Sequence, residues 1–239
     1  MSRMRRVRRP IGVLASGGLD SCALIGRLAR AGRRVVPIYI AGGLRWETVE
    51  RYWLCCVLRR LAAERLRVEP LVDLALPVND LYGRHWSTGA NTVPGAVSSD
   101  EAVYLPGRNL LLTVKAALYC AQHDLPQLAI GVLRGNPFTD SSERFFRQVS
   151  AAVQTAVGRR VSILRPLARR SKADVIRQGR SLPLHLSFSC LRPQGRRHCG
   201  RCNKCAERRR AFRAAGVPDR TIYKNGTGSH FSVKATREK

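Results

Sequence analysis

The chain has 239 residues, a hydrophobic fraction of 44% and a formal net charge of +27 at pH 7. That length suits one α/β domain with a small appendage and is enough to bury a core. No apolar run approaches the roughly 18 residues of a membrane span. The apolar stretch after the basic Met1–Pro10 is broken by Ser16, Gly17, Gly18 and Asp20, unlike a signal-peptide core, so a cytoplasmic protein is expected.

In chain order, Ile11–Ala15 is a short apolar run that predicts a buried strand. A Ser-Gly-Gly turn follows. Ser21–Ala31 predicts a helix with Cys22, Leu24, Ile25 and Leu28 on its apolar face, and Gly32 is a plausible C-cap. Val35–Ile40 predicts a second strand, Trp46–Arg65 a long helix with Trp53, Leu54, Val57, Leu58 and Leu61 inward, and Val68–Leu74 a third strand. Gly83–Val103 is polar and rich in Gly and Ser, the mark of a functional or mobile loop. Tyr104–Asn109 leads into a helix over Leu110–Gln122. A strand over Leu128–Val132, a loop at Phe138–Asp140, a helix over Glu143–Val157 capped by Ser141 or Ser142, a strand over Val161–Leu164 and a capped helix over Ser171–Gly179 complete the pattern. Strands alternating with helices predict a doubly wound, mainly parallel five-stranded sheet. The expected division is an ATP-binding α/β part over 10–186, a cysteine-bearing segment over 187–215, and basic or flexible tails at 1–9 and 227–239.

The charge favours phosphate-rich partners. The excess is almost entirely arginine spread along the chain, which a GC-rich genome places on any solvated surface, so nucleic acid is left open as a partner but not favoured.

Two motifs carry chemistry. Ser16-Gly-Gly-Leu-Asp-Ser21 lies between the first strand and the first helix, where a helix N-terminus offers unpaired N–H groups and partial positive charge to an anion. Gly17 and Gly18 allow close backbone approach and positive φ, and Ser16 and Ser21 add hydroxyls. No Gly-Lys-Ser/Thr follows, so it is not a Walker A loop. The bland alternative is a plain βα turn with two glycines. The second motif is Cys190 followed by Cys199, Cys202 and Cys205. A closed set of four thiolates suits a structural zinc. Free thiols, a redox pair and an iron–sulfur cluster are the alternatives, and His198 is a competing ligand. Arg196, Arg197, Arg201 and Lys204 flank the thiolates and would favour their ionised form. The other cysteines, Cys22, Cys55, Cys56 and Cys120, sit in apolar or helical contexts and are expected to pack as small hydrophobes.

The six-residue string resembles the PP-loop of adenine nucleotide alpha-hydrolase-like enzymes, which cleave ATP between the α and β phosphates. With the cysteines, it resembles more narrowly the 7-cyano-7-deazaguanine synthase family, over roughly residues 11 to 213. The likeness rests on Ser16–Ser21, Pro106-Gly-Arg-Asn109, Gly131-Val132, Ser171-Lys-Ala-Asp174, Ser189-Cys190, His198–Cys205 and Glu207-Arg208. It implies a ligase that adenylates a 7-deazaguanine carboxylate, converts it to an amide with ammonia and dehydrates it to the nitrile, with Mg2+ accompanying ATP and one Zn2+ on the four cysteines. Leu14, Ala15, Ser16, Gly17, Gly18, Leu19, Asp20 and Ser21 would bind ATP. Asp20 would meet Mg2+ or shape the loop, and Arg108 and Lys172 would steady the phosphates or the adenylate. Asp140 would read a base edge, since a carboxylate accepts from two N–H donors at once. A surface role for Arg108 and a capping role for Asp140 are the alternatives. A homodimer is compatible with the resemblance.

Two loops depart from the family. An Asp-Tyr-Gly-Gln string is replaced by Ala41–Trp46, and a Tyr-Pro-Asp-Cys-Arg string by Phe138-Thr-Asp-Ser-Ser142, which keeps Asp140 but lacks the arginine. Arg45 or Arg144 could supply that charge. The rivals are a tRNA-modifying PP-loop enzyme, a ligase for a different carboxylate, and a zinc-knuckle nucleic-acid binder. Against the last, no aromatic residue lies between Cys190 and Cys205.

Overall fold

The computed structural model describes residues 9–89, 92–224 and 226–227, so the expectations for the two tails lie almost wholly outside the described residues. Five strands form one parallel sheet: β1 (Ile11–Leu14), β2 (Val35–Ala41), β3 (Val72–Ala75), β4 (Gln127–Ala129) and β5 (Ser162–Leu164). Their order is β3-β2-β1-β4-β5. β1 and β2 read as unbroken apolar runs because both faces of the sheet are covered. One face carries α1 (Leu19–Arg30) and α2 (Glu47–Ala63). A single turn, α3 (Asn79–Tyr82), follows β3. α4 (Arg108–Gln122) and α5 (Glu143–Val157) cover the opposite face, and α6 (Lys172–Gln178) and α7 (Asn203–Ala215) return to the first. A two-residue hairpin, β6 (Ile222–Tyr223) and β7 (Gly226–Thr227), ends the described chain. The expected doubly wound architecture is present. Among the described residues no helix is long and apolar enough to cross a membrane.

The differences from expectation have local causes. The third strand starts at Val72. Val68 makes only an isolated bridge to Val35, and Pro70, which has no N–H to donate, separates the two. Trp53 does not enter the sheet core. It is half-buried, and its indole N–H donates to the Arg196 carbonyl at 2.8 Å, tying α2 to the cysteine segment. The cysteine-bearing segment carries a helix, α7, that the sequence pattern does not predict. Ala211, Phe212 and Ala215 nevertheless give it a buried stripe against the core. The long polar loop holds one 3-10 turn, Glu101–Val103. It docks on the start of α7, where the Asn203 backbone N–H donates to the Pro94 carbonyl at 3.0 Å and its side-chain amide to the Ser98 carbonyl at 2.6 Å.

The sheet reverses direction between β1 and β4, and in such sheets ligands bind at the carboxyl ends flanking that reversal. Three helix starts converge there. α1 begins after Gly18, α4 after Gly107 at φ 72°, and α6 after Ser171, whose capping box with Asp174 is complete. A third apolar cluster under the cysteines, including Trp46, Trp86, Leu105, Phe188 and Tyr223, closes the same end. Ser171→Ala removes the cap that fixes the helix carrying Lys172. It should cost about 1 kcal/mol of folding stability in urea denaturation.

Candidate active site

The chain leaves β1 at Ala15 and turns through Ser16–Gly18 into α1. Gly17 sits at φ +70°, and a Cβ there would come within 2.9 Å of both the Glu50 side chain and its carbonyl oxygen. Its missing side chain therefore serves the packing of α2 beneath the loop. Gly18 is the N-cap, with no side-chain capping bond, so the first turn of α1 keeps its N–H groups and positive dipole end for an anion. The serines wire the loop together. The Gly18 N–H donates to Ser16 Oγ at 3.3 Å, and Ser21 Oγ donates to the Gly18 carbonyl at 3.1 Å. The Gly17 carbonyl accepts from the Phe188 N–H at 2.8 Å, joining the loop to the cysteine segment.

Two adjoining chambers open on this loop. The smaller, about 170 Å³, lies over the ends of β1, β2 and β4, with Leu14, Ala15, Ser21, Ile130 and Gly131 in its wall. The larger, about 310 Å³, is walled by Trp46, Trp86, Tyr104, Phe138 and Phe188 and includes Leu19, Asp140 and Lys172. Ser16, Gly18, Asp20, Glu50, Arg108, Asn109 and Asn136 line both, whereas Gly17 lines neither. Two stacked aromatic pairs build the larger wall, Trp46 with Trp86 at 5.8 Å and Tyr104 with Phe138 at 4.7 Å between ring centres.

A chain of alternating charge runs through the larger chamber. Lys172 Nζ lies 3.6 Å from Asp20 Oδ2 and bonds directly to Glu207. Lys204 Nζ lies 2.8 Å from the other Glu207 oxygen and 3.8 Å from Asp100. Burial would lift the Glu207 carboxyl, but Lys172 and Lys204 hold it down to about 2. Burial raises Asp20 against the pull of Lys172. Burial also works against the Lys172 ammonium, yet Asp20 and Glu207 hold its pKa above the usual lysine value. Asp20 Oδ1 and Asp140 Oδ2 are buried and, among the described residues, have no hydrogen-bond partner. The other Asp140 oxygen accepts from Asn109 Nδ2 at 3.0 Å. Arg108 opens α4 and lines both chambers, which sets aside a purely surface role. Neither Arg45 nor Arg144 lines either chamber. Arg45 donates to the Trp86 carbonyl at 3.3 Å, Arg144 is exposed, and Ser142, at the place of the family arginine, caps α5 instead. The cations of the larger chamber are Arg108, Lys172, Lys204 and Arg208.

The four clustered cysteines come together with their sulfurs within 4.8 Å of one another. The Cys199–Cys205 separation is 3.9 Å, close to the edge of about 3.8 Å that a tetrahedron with zinc–sulfur bonds of about 2.3 Å requires. The donor set therefore fits a structural metal. Backbone N–H groups stabilise the thiolates: Cys199 and Arg192 donate to the Cys190 sulfur, Arg201 and Cys202 to that of Cys199, and Leu191 to that of Cys202. Of the four flanking cations expected in that role, Arg196 lies over the Tyr52 ring and Lys204 in the chamber, whereas Arg201 lines a concavity with Cys199 and Cys202. His198 is not in the ligand set. It is buried against Phe188 and Tyr223, its Nε2 accepts from the Ser189 N–H at 3.3 Å, and burial holds it neutral.

Residues 11–216 match the family model described as queuosine biosynthesis protein QueC. The chain belongs to the QueC family. It is 32% identical to the 7-cyano-7-deazaguanine synthase of Paracoccus denitrificans, over 89% of this chain and 92% of that one. It is 29% identical to the one from Methanoculleus marisnigri, over 88% and 96%. Against the Saccharolobus solfataricus protein of that name the identity is 29% over 92% of this chain, which spans about half the relative's length, 48%. Within this QueC chain, sequence reasoning gave no role to Glu50, Glu207, Arg208, Trp86 or Tyr104, and it gave Lys204 one beside the thiolates rather than in the chamber. The available signal was Lys204, Glu207 and Arg208 at helical spacing around the last cysteine, Cys205.

Glu50 is buried beside the loop, accepts from the Tyr39 hydroxyl at 3.2 Å, and is pushed up to about 8 by burial, against Arg108. Between the ordinary value of 4.5 and about 8 the folded chain binds a proton that the unfolded chain does not. Stability contributed by this group is therefore lost as pH rises through that window. Glu50→Gln keeps an acceptor for Tyr39 and carries no charge. It should be more stable than the parent at pH 8, with the difference shrinking towards pH 4.5, as read by urea midpoints.

Proposed function

We propose that this chain is an ATP-dependent carbon–nitrogen ligase that converts a 7-deazaguanine carboxylate and ammonia into 7-cyano-7-deazaguanine. The observation that carries the reading is the junction of two chambers at the phosphate loop. The smaller suits an adenine nucleoside over the strand ends, and the larger suits a flat heteroaromatic acceptor between aromatic walls. Family membership supports it.

In this reading the acceptor carboxylate oxygen attacks the α-phosphorus of ATP, and pyrophosphate leaves from the N-terminus of α1. Ammonia then attacks the activated carbonyl carbon and expels AMP, giving the amide. A second ATP adenylates the amide oxygen, and loss of AMP and a proton gives the nitrile. The chain's part is positioning and charge. Gly18, Ser16 and the first turn of α1 hold the leaving phosphates. Arg108 and Lys172 offset negative charge that develops at the α-phosphate. Lys172 reaches that place because Asp20 and Glu207 hold it from both sides. Asp140, with one oxygen unpartnered, accepts from the N–H edge of the deazapurine. Mg2+ would sit at Asp20, whose Oδ1 has no partner, and would supply further charge neutralisation. One Zn2+ would be held by Cys190, Cys199, Cys202 and Cys205 and would brace the segment at 187–215 against the ATP-binding part at 10–186. Eight free thiols and an ATP-dependent reaction support a cytoplasmic location for this chemistry.

A second reading, a ligase for a different aromatic carboxylate, is favoured by one observation. The cations of the larger chamber come from α4, α6 and α7, and none comes from the two loops that depart from the family.

Three outcomes are expected. Gly18→Val places carbon near Ser16 Oγ, which a Cβ already approaches to 3.2 Å, and should abolish ATP turnover while circular dichroism is retained. Normal turnover would remove the loop from the mechanism. Asp140→Ala should lower kcat/KM for the deazaguanine carboxylate roughly 10- to 100-fold, the worth of hydrogen bonds to a charged group. Product mass should show the nitrile, and product from another carboxylate alone would establish the second reading. Elemental analysis of untagged protein should give one zinc per chain, and a visible iron–sulfur band with little zinc would overturn that assignment.

A further inference from the structure

A second large concavity lies away from the chambers, along the open edge of the sheet. This groove encloses about 900 Å³. Its floor is β5, which pairs only with β4 and so presents an unpaired backbone edge. Its walls are α5 and the 165–170 turn, with Arg27 of α1 at one end.

Six arginines line it: Arg27, Arg147, Arg160, Arg165, Arg169 and Arg170. Its only acidic lining residue is Glu143, which is already paired with Arg165 at 3.1 Å. Arg147, Arg160, Arg169 and Arg170 are exposed, and among the described residues no carboxylate lies within ion-pair distance of them. Several arginines elsewhere are matched, Arg30 with Glu64, Arg34 with Glu69, Arg51 with Asp73 and Arg159 with Asp124, while Arg59, Arg67 and Arg210 are exposed outside the groove with no carboxylate among the described residues in ion-pair reach. An arginine excess set by composition alone gives no reason for four unmatched arginines to share one concavity with a single, already paired carboxylate in its lining. Like charges gathered in a cleft repel one another, and the low-dielectric walls focus their field outward. An anion relieves that repulsion.

We propose that this groove binds the phosphate backbone of a nucleic acid strand. A second copy of the chain adding a strand to β5 is disfavoured, because it would bring the two arginine sets together. Blunting an edge needs one or two charges rather than a lined concavity. The aromatic side chain in the lining, Phe146, is 2% exposed, so no ring face is offered for base stacking. Binding is therefore to phosphates and tolerant of sequence. The groove also shares a wall with the larger chamber. Arg165 Nη1 donates to the carbonyl of Ser141, the neighbour of Asp140, at 3.2 Å. The Arg134 N–H donates to the Arg170 carbonyl at 2.9 Å, next but one to Asn136 of the chambers. The proposal stands independently of the ligase reading, since none of the six arginines lines either chamber.

The test is fluorescence anisotropy of the full chain with labelled single-stranded RNA and DNA of about 20 nucleotides, across a salt series. Arg147→Glu, Arg169→Glu and Arg170→Glu combined should weaken binding at least ten-fold. The combination should also flatten the log–log salt slope by about 2, three contacts at about 0.7 each for a single strand. Arg59→Glu, Arg67→Glu and Arg210→Glu combined, an equal charge change outside the groove, should cost less than three-fold. Circular dichroism and ATP turnover verify that the groove variant is folded. Equal losses in the two variants would show diffuse surface charge and overturn the proposal. So would parent binding weaker than about 10⁻⁴ M at physiological salt, or displacement of RNA by poly-glutamate at equal charge concentration.

Discussion

Lys172 between Asp20 and Glu207 is the contact on which the site depends. The three residues come from α6, α1 and α7, elements widely separated in sequence. Each side chain is about a quarter exposed, so the pairs are screened less than surface ion pairs. Two carboxylates face one ammonium, and Lys204 supplies the balancing charge on the far side of Glu207. The ordering cost of these long side chains is met by the helices behind them. Ser171 caps α6, the Cys202 N-cap starts α7, and the phosphate loop turns into α1. A shift of α7 by one residue would carry Glu207 off this face and leave Lys172 with a single partner.

The position of α7 is itself set by the cysteine cluster. Cys199, Cys202 and Cys205 straddle its start, and the N–H bonds to sulfur fix the preceding turns. Arg208, 2% exposed, then anchors the helix with bonds to Thr221, Ser187 and the Leu184 carbonyl, at 2.7, 2.9 and 2.8 Å. Burial lowers its pKa from the ordinary arginine value. No carboxylate bonds it, so three neutral acceptors carry its solvation. Because the Phe188 N–H also bonds the Gly17 carbonyl, the cysteine segment and the phosphate loop form one continuous scaffold.

Much of this was legible in the sequence, for stated reasons. The alternation of strand and helix gave the sheet, because apolar runs bounded by turn residues have few other uses. The Ser142 and Ser171 caps were readable because an N-cap is a local interaction. The four cysteines converge as their spacing suggests. What was not legible depends on distant partners. Gly17 looked like a phosphate contact, yet its positive φ and missing side chain answer to α2, more than thirty residues on. Arg196 looked like a thiolate partner, but it lies over the Tyr52 ring, and the hydrogen bonds to the sulfurs come from backbone N–H groups, invisible in a sequence. Trp53 looked like sheet core on helical periodicity alone, and the Arg196 carbonyl claims its indole. Glu207 could not be read as a partner of Lys172 without knowing that α6 and α7 pack together.

The two loops that depart from the expected family pattern each add one ring to the wall of the larger chamber. One loop contributes Trp46, stacked on Trp86, and the other contributes Phe138, stacked on Tyr104. The position that could have offered a guanidinium is instead Ser142, used to cap α5. Positive charge is thereby removed from the loop wall and concentrated on α4, α6 and α7 beside the phosphate loop. A planar acceptor entering this chamber meets ring faces along its body and Asp140 at one edge. Stacking confers affinity for any flat ring system, whereas a buried carboxylate rejects rings without matching N–H donors. In the proposed reading, selectivity in this chamber therefore falls on Asp140 and its Asn109 partner far more than on the aromatic walls.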